Sequence, residues 1–330
     1  MSFHPMSPAN PQPVSRDAID SLIAHAALTS SNPAAGLFGP TSITWRINRE
    51  SALFLGAGRA ALLQLAHPWV ATALQQHSTL IERPIARFHS TFRIVFTMVF
   101  GSLAQATAAA RHLYTTHTAI QGELTEPAGR YPRGSHYEAN EIAALRWVFA
   151  TLVESAVLAY EFVRPPLTHP ELAAYYAESR TLAALFGLPA DALPADWQSF
   201  LTYCREMEQS NQLGVTASAR TMAQSLLAGA GSWIKPPCWY RALTTQWLVP
   251  RFRAEFGLLF GPREQHSIAR AQRRLTRLYR ALPKAARFVG PYHEAQSRLA
   301  GRPPGPAGRS LNRFWIGEPR MPFADEVPRP

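Results

Sequence analysis

Arg87, Ser90 and Thr91 stand three and four residues apart on a segment that starts after Pro84 and runs apolar to Gly101. Side chains at that spacing share one helix face. Ile94, Val95 and Met98 follow on the same side. The pattern aims a cation and two hydroxyls into an apolar pocket. His117 lies thirty residues beyond Arg87, near the end of an Ala-rich segment that precedes Gly122. On a facing helix its imidazole would close such a pocket as a metal ligand. Thr115, Thr116 and Thr118 surround it, and hydrogen bonds to the far ring nitrogen orient a metal-bound His. Ala104, Ala106, Ala108, Ala109 and Ala110 let a flat cofactor or another helix come close. Plainer roles compete: Arg87 pairing with Glu82, Thr91 bonding back to its own helix, and His117 as a satisfied polar residue.

Other residues carry weaker signals. His67, His77 and His89 are ten and twelve apart, not the three to four expected when one helix supplies two ligands. His67 and His77 fit hydrogen-bonding roles near a cofactor better than a metal cluster. Gly56-Ala57-Gly58-Arg59 resembles part of a dinucleotide-binding turn but lacks the preceding strand and third glycine. Close helix packing is the better reading. Glu154 sits inside an apolar helix and needs a partner or a raised pKa. Pairing with an Arg from a neighbouring helix is expected. Arg270, Arg273, Arg274, Arg277 and Arg280 make a basic stripe, with Ile268, Leu275, Leu278 and Leu282 assigned to the opposite side. Such a face is either solvated or in peripheral contact with an anionic membrane.

Helices must position all of this. Prolines recur at helix starts and ends, and no run alternates as a strand does. Pro68 and Pro84 suit the first turns of helices over 68–79 and 84–100. Helices are also predicted over 17–28, 105–121 (with Gly122 as its left-handed cap), 141–163 (with Asn140 as N-cap), 171–186, 239–256 and 264–282. Residues 50–66 read as one buried helix, 197–228 as one or two helices, and 123–137 as a loop. The expected architecture is all-α, a compact helical bundle. A helical domain over 41–302 sits between a Pro-rich N-terminal arm, 1–40, and a Pro/Gly-rich C-terminal tail, 303–330.

Composition narrows the class. Apolar residues are 47% of the 330 and charged residues 17%, below the roughly 25% of an average domain. Residues 251–330 carry a net charge of +10, which leaves about +1 for the first 250. A neutral body with a basic end argues for a local patch, and against nucleic acid as the partner. Two cysteines, Cys204 and Cys238, are too few for a disulfide framework. The N-terminus has no apolar core of a secretory signal. The longest apolar run, taken as Ile94 to Ala104, is short of the roughly twenty residues that span a bilayer. A cytoplasmic protein is expected.

Several blocks in order resemble one family. They are Trp45-Arg46 with Arg49-Glu50; the stretch from Gly58 to His67-Pro68; His77-Ser78; Arg87 with Thr91; Phe100-Gly101; and His117 with Gly122. Tyr137 to Asn140, Trp147-Val148, Gly187-Leu188-Pro189 and Leu282-Pro283 complete the set. From Trp45 to Arg302 the chain resembles the bacterial latex-clearing rubber oxygenases and the fungal MpaB-type oxygenase. The resemblance implies a globin-like helical core around haem b, with His117 as the iron ligand. It places Arg87, Ser90 and Thr91 in the distal pocket; Ile94, Val95 and Met98, on the same helix face, would give that pocket its apolar wall. Ser90 stands where the rubber-cleaving members have a Lys, and Phe149 where many relatives have a His. The implied activity is a haem-dependent oxygenase acting on a small apolar substrate, isoprenoid or lipid-like. The alternative is a haem-free lipid- or isoprenoid-binding protein that keeps the fold.

Overall fold

The computed structural model describes residues 12–80, 82–232 and 235–323. Residues 1–11 of the expected arm and 324–330 of the expected tail lie outside these. The chain opens with α1 (Arg16–Leu28), capped by Ser15, and α2 (Ile43–Asn48), capped by Ser42. A 3₁₀ turn over Ser51–Gly56 then leads into α3 (Ala57–Leu65), so the single helix expected over 50–66 is two pieces. Next come α4 (Pro68–His77), α5 (Pro84–Phe100) and α6 (Leu103–Thr118). Two short strands follow, β1 (Gln121–Glu123) and β2 (His136–Glu138). The long α7 (Ile142–Val163) and α8 (His169–Leu185) come after them. The second half holds α9 (Trp197–Gln209), α10 (Ala217–Ala228), α11 (Cys238–Gln246) and α12 (Pro250–Glu255). It ends with α13 (Pro262–Ala281), α14 (Lys284–Arg287), α15 (Gly290–Leu299) and α16 (Pro306–Ile316). The fold is all-α apart from the β1–β2 ribbon.

Proline sets several starts as expected, since its fixed φ and missing N–H suit a first turn. Pro68 opens α4 and Pro84 opens α5. Ser102 and Gln105 form a reciprocal capping box at the start of α6, with bonds of 3.2 and 3.0 Å. Only Gly101 and Ser102 separate α5 from α6. So short a corner folds the two helices back on one another.

The end of α6 departs from expectation. It stops at Thr118 with Ala119 as the cap residue, and Gly122 sits instead in β1. Gln121–Glu123 pairs antiparallel with His136–Glu138, inside the region read as a loop. Three-residue strands are too short to show a period of two. Asn140 does not cap α7 either. Its Nδ2 donates to the Tyr114 carbonyl at 3.3 Å and to Thr118 Oγ1 at 2.8 Å, tying down the end of α6. Glu141 is the cap, accepting from the Ala144 N–H at 2.6 Å.

The core lies along α7, which packs on α3 and on the 3₁₀ turn. Trp147 fixes the pairing by donating its indole N–H to the Leu63 carbonyl at 2.8 Å. By length and composition α7 alone among the described helices matches a membrane span, which the reading of apolar runs overlooked. Most of it is buried in the fold, as a core helix is. Arg59 joins four elements here. It bonds Glu154 (2.7 Å) and Ser155 (3.1 Å) on α7, Glu208 (3.2 Å) on α9 and the Trp247 carbonyl (3.0 Å) after α11.

Both ends of the described chain pack on the body. Ile19 and Ile23 of α1 are buried, and α1 lies against α6 and α8. Ile316 and Met321 are buried against α5 and α15. The back of α5 carries Phe88, Phe92, Phe96 and Phe100 in a ladder of ring contacts. Phe54 joins it from the 3₁₀ turn, and Trp315 of α16 stacks on Phe54 at 4.4 Å.

Candidate functional site

The α5–α6 hairpin brings the two sequence signals together. Arg87 stands fourteen residues before Gly101 and His117 fifteen after Ser102. Both therefore sit at about the same height above the corner, since both helices rise 1.5 Å per residue. They line one cavity of about 460 Å³, within the roughly 300–1,000 Å³ of small-molecule sites. Ser90, Thr91, Ile94 and Val95 line the same wall as Arg87, and Leu113, Thr116 and Ile120 join His117. Trp69, Val70, Ala73 and His77 come from α4, and Tyr137 from β2. Leu145, Val148 and Leu152 of α7, with Phe186 after α8, supply a deep apolar side. Ser90, His77, His112 and Thr116 are exposed, whereas Tyr137, Ala144 and Leu145 are buried, so the cavity opens on the α4–α5–α6 side.

Met98 shares the helical face of Arg87 and Ile94 but does not line the cavity. It lies one turn past Ile94, about 6 Å further along the axis, fully buried in the main core. His67 is also off the cavity, buried against Trp69 and Tyr131. His89 faces away, its Nε2 3.0 Å from the Phe314 carbonyl of α16. The three histidines do not converge, and no group of three metal-binding side chains occurs among the described residues. Phe149 is buried and rests on Phe186 at 5.9 Å without reaching the cavity wall.

The electrostatics of the cavity come from burial. Desolvation lowers the affinity of the Arg87 guanidinium for its proton. No carboxylate pairs with Arg87 among the described residues, Glu82 included. His117 is half-buried because it faces the void. Desolvation first, and the charge of Arg87 second, push its imidazole down to about 4. At neutral pH His117 is therefore an uncharged base with a lone pair to offer. Thr91 donates its hydroxyl to the Arg87 carbonyl at 3.1 Å, the intrahelical bond considered as its plain role. Its oxygen can still accept from a ligand. Burial also raises the Tyr137 phenol, which donates to Gln76 Oε1 at 2.6 Å.

The apolar face of α7 was not visible in the sequence, because that helix is apolar nearly all round and periodicity cannot choose a side. Trp69 and Tyr137 were missed as lining residues, although Trp69 directly follows one block of the resemblance and Tyr137 opens another.

His117 thus offers an uncharged imidazole to an apolar, arginine-edged cavity whose lining also includes His77 and His112. Residues 44–283 match the family model described as "ER-bound oxygenase mpaB/B'/Rubber oxygenase, catalytic domain", and the chain belongs to that oxygenase family. No curated protein and no solved structure matches it.

Proposed function

We propose that this protein is a haem b-dependent oxygenase that acts on a small apolar, isoprenoid or lipid-like, substrate. One observation carries the reading: the uncharged His117 imidazole faces a cavity that Arg87, Ser90 and Thr91 also line. The donor set suits the group. A bare ion would need several converging ligands, whereas a haem can be held by one imidazole from the protein. The cofactor would supply dioxygen activation at its iron.

The residues of the chain do the rest. His117 would hold the group's iron through its neutral ring nitrogen. Arg87 supplies positive charge and N–H donors for a propionate or for developing negative charge, stronger here than in water because the cavity is partly desolvated. Ser90 adds a hydroxyl donor on the same wall, and Thr91 keeps an acceptor there. Ile94 would give the group an apolar wall. Leu145, Val148, Leu152 and Phe186 exclude water and accept the apolar substrate. With Ser90 in place of a Lys, α5 offers the cavity a hydroxyl and no primary amine.

The test is spectroscopic. Protein purified from cells supplied with haem precursor should show a Soret band and a pyridine haemochrome of b type, and His117→Ala should abolish both. Full haem content with an unchanged spectrum in that variant would overturn the ligand assignment. Colourless wild-type protein that still binds prenyl lipids would favour the haem-free binding reading.

A further inference from the structure

We propose that the exposed face of α13 docks on a lipid bilayer rich in anionic phospholipid. The helix has twenty residues and so runs about 30 Å. Arg263, Arg270, Arg273, Arg274, Arg277 and Arg280 are all exposed. At 100° per residue they fall within an arc of roughly 120°. The opposite arc holds Ile268, Ala271 and Tyr279, which are buried against the body. The helix is therefore fixed on one side and presents its arginines outward as a rigid stripe.

A solvated helix face ordinarily interleaves both signs of charge, with partners three or four residues apart. This one does not. None of the six arginines pairs with a carboxylate among the described residues. The one acid of the helix, Glu264, is turned back to accept from the Gly261 N–H at 2.8 Å. The stripe is uncompensated and complementary to a plane of phosphate groups.

Two leucines favour a membrane over a nucleic acid. Leu278 was assigned to the buried side of α13, but it is 58% exposed where the arginine arc meets that side. Leu259, on the loop leading into the helix, is 89% exposed. Apolar side chains beside a basic arc are the signature of a helix lying in the headgroup region. The ring within the arc is the small His266 imidazole, and α13 has no Phe, Tyr or Trp there to form the stacking platform that single-stranded nucleic acid requires. Docking is independent of the haem assignment, so its failure would leave the cavity reading untouched.

The full-length protein should be tested by co-sedimentation with vesicles of phosphatidylcholine alone and with a third of the lipid replaced by phosphatidylglycerol. Binding to the anionic vesicles only is expected, falling as salt is raised. Each basic residue near such a surface is worth about fivefold in partitioning. Replacing Arg270, Arg273, Arg274 and Arg277 together by Gln should therefore weaken binding by nearly three orders of magnitude, roughly 600-fold. Leu278→Gln should weaken it several-fold, and neither change should alter the melting temperature. The same four positions changed to Lys should retain binding, which keeps the test decisive if the Gln variant folds poorly. Three outcomes would overturn the proposal: wild-type protein that ignores anionic vesicles, a folded Gln variant that binds like wild type, or tight binding to duplex DNA at the same salt with none to vesicles.

Discussion

Arg59 Nη2 lies 2.7 Å from Glu154 Oε2, and the guanidinium that makes this contact is 3% exposed while the carboxylate is 21% exposed. The same nitrogen also reaches Glu208, 3.2 Å away. One buried cation therefore serves two acids, and burial pushes the Glu208 carboxyl upward despite its partner. Removing the cation strands both acids. Arg59→Leu should destabilise the fold by about 3–5 kcal/mol, the usual cost of orphaning a buried charge. Glu154→Gln should cost less, because Arg59 keeps Glu208. Urea unfolding of the two variants measures this, and equal losses would contradict the shared-cation arrangement.

Gly122 is placed in β1 by what surrounds its α-carbon. A Cβ there would come within 2.8 Å of both Gln76 Oε1 and the Tyr137 hydroxyl. Those two atoms are hydrogen-bonded to each other beside the cavity. Gly122→Ala should break that bond and cost about 1–3 kcal/mol. A thermal shift below 1 °C would show that the side chains move aside freely.

The sequence made some of this legible and hid the rest for identifiable reasons. Pro68 and Pro84 announced their helices because proline acts locally, on its own φ. The Arg87–Thr91 face was legible from spacing, and the two-residue corner at Gly101-Ser102 could have placed His117 opposite it. Gly122 and Asn140 misled because each has a second use. Gly122 makes room for Gln76 and Tyr137, and Asn140 spends its amide on α6. Met98 was assigned to the cavity because a helical face continues indefinitely on paper, whereas the cavity ends where the core closes. Leu278 lies at the border of its arc, where periodicity does not say which side is covered.

Acid should weaken the fold through His67. The residue is buried and its Nδ1 has no hydrogen-bond partner. Burial first, and the charge of Arg130 second, push its imidazole down to about 3, against about 6.5 in an unfolded chain. Above about pH 6.5 neither state holds a proton there, so the residue adds no slope. Between about 6.5 and 3 the unfolded chain takes up a proton that the native state refuses. Stability then falls on acidification by up to about 1.4 kcal/mol per pH unit from this residue. His67→Phe should flatten the dependence by one proton. His117 and His293, also depressed, keep the remainder. Denaturant midpoints on either side of pH 6 test it, and identical slopes in both proteins would refute it.

Val148 projects into the apolar end of the cavity. Val148→Trp should fill that end and weaken binding of an apolar fluorescent probe such as N-phenyl-1-naphthylamine by about tenfold or more, a difference of about 1.4 kcal/mol. The melting temperature should hold or rise, since the added ring occupies a void. Undiminished probe binding would place the apolar site elsewhere.

The phenylalanine ladder behind α5 has a bearing on how such a cavity can diverge. Phe88, Phe92 and Phe96 anchor the helix to Phe54 and, through it, to Trp315, while Arg87, Ser90, Thr91 and Ile94 look the other way. Anchorage and the candidate site thus occupy separate sides of one rod. Exchanging a residue on the cavity side of α5 would leave that mounting intact, so the lining of the cavity can change without the scaffold having to be rebuilt each time.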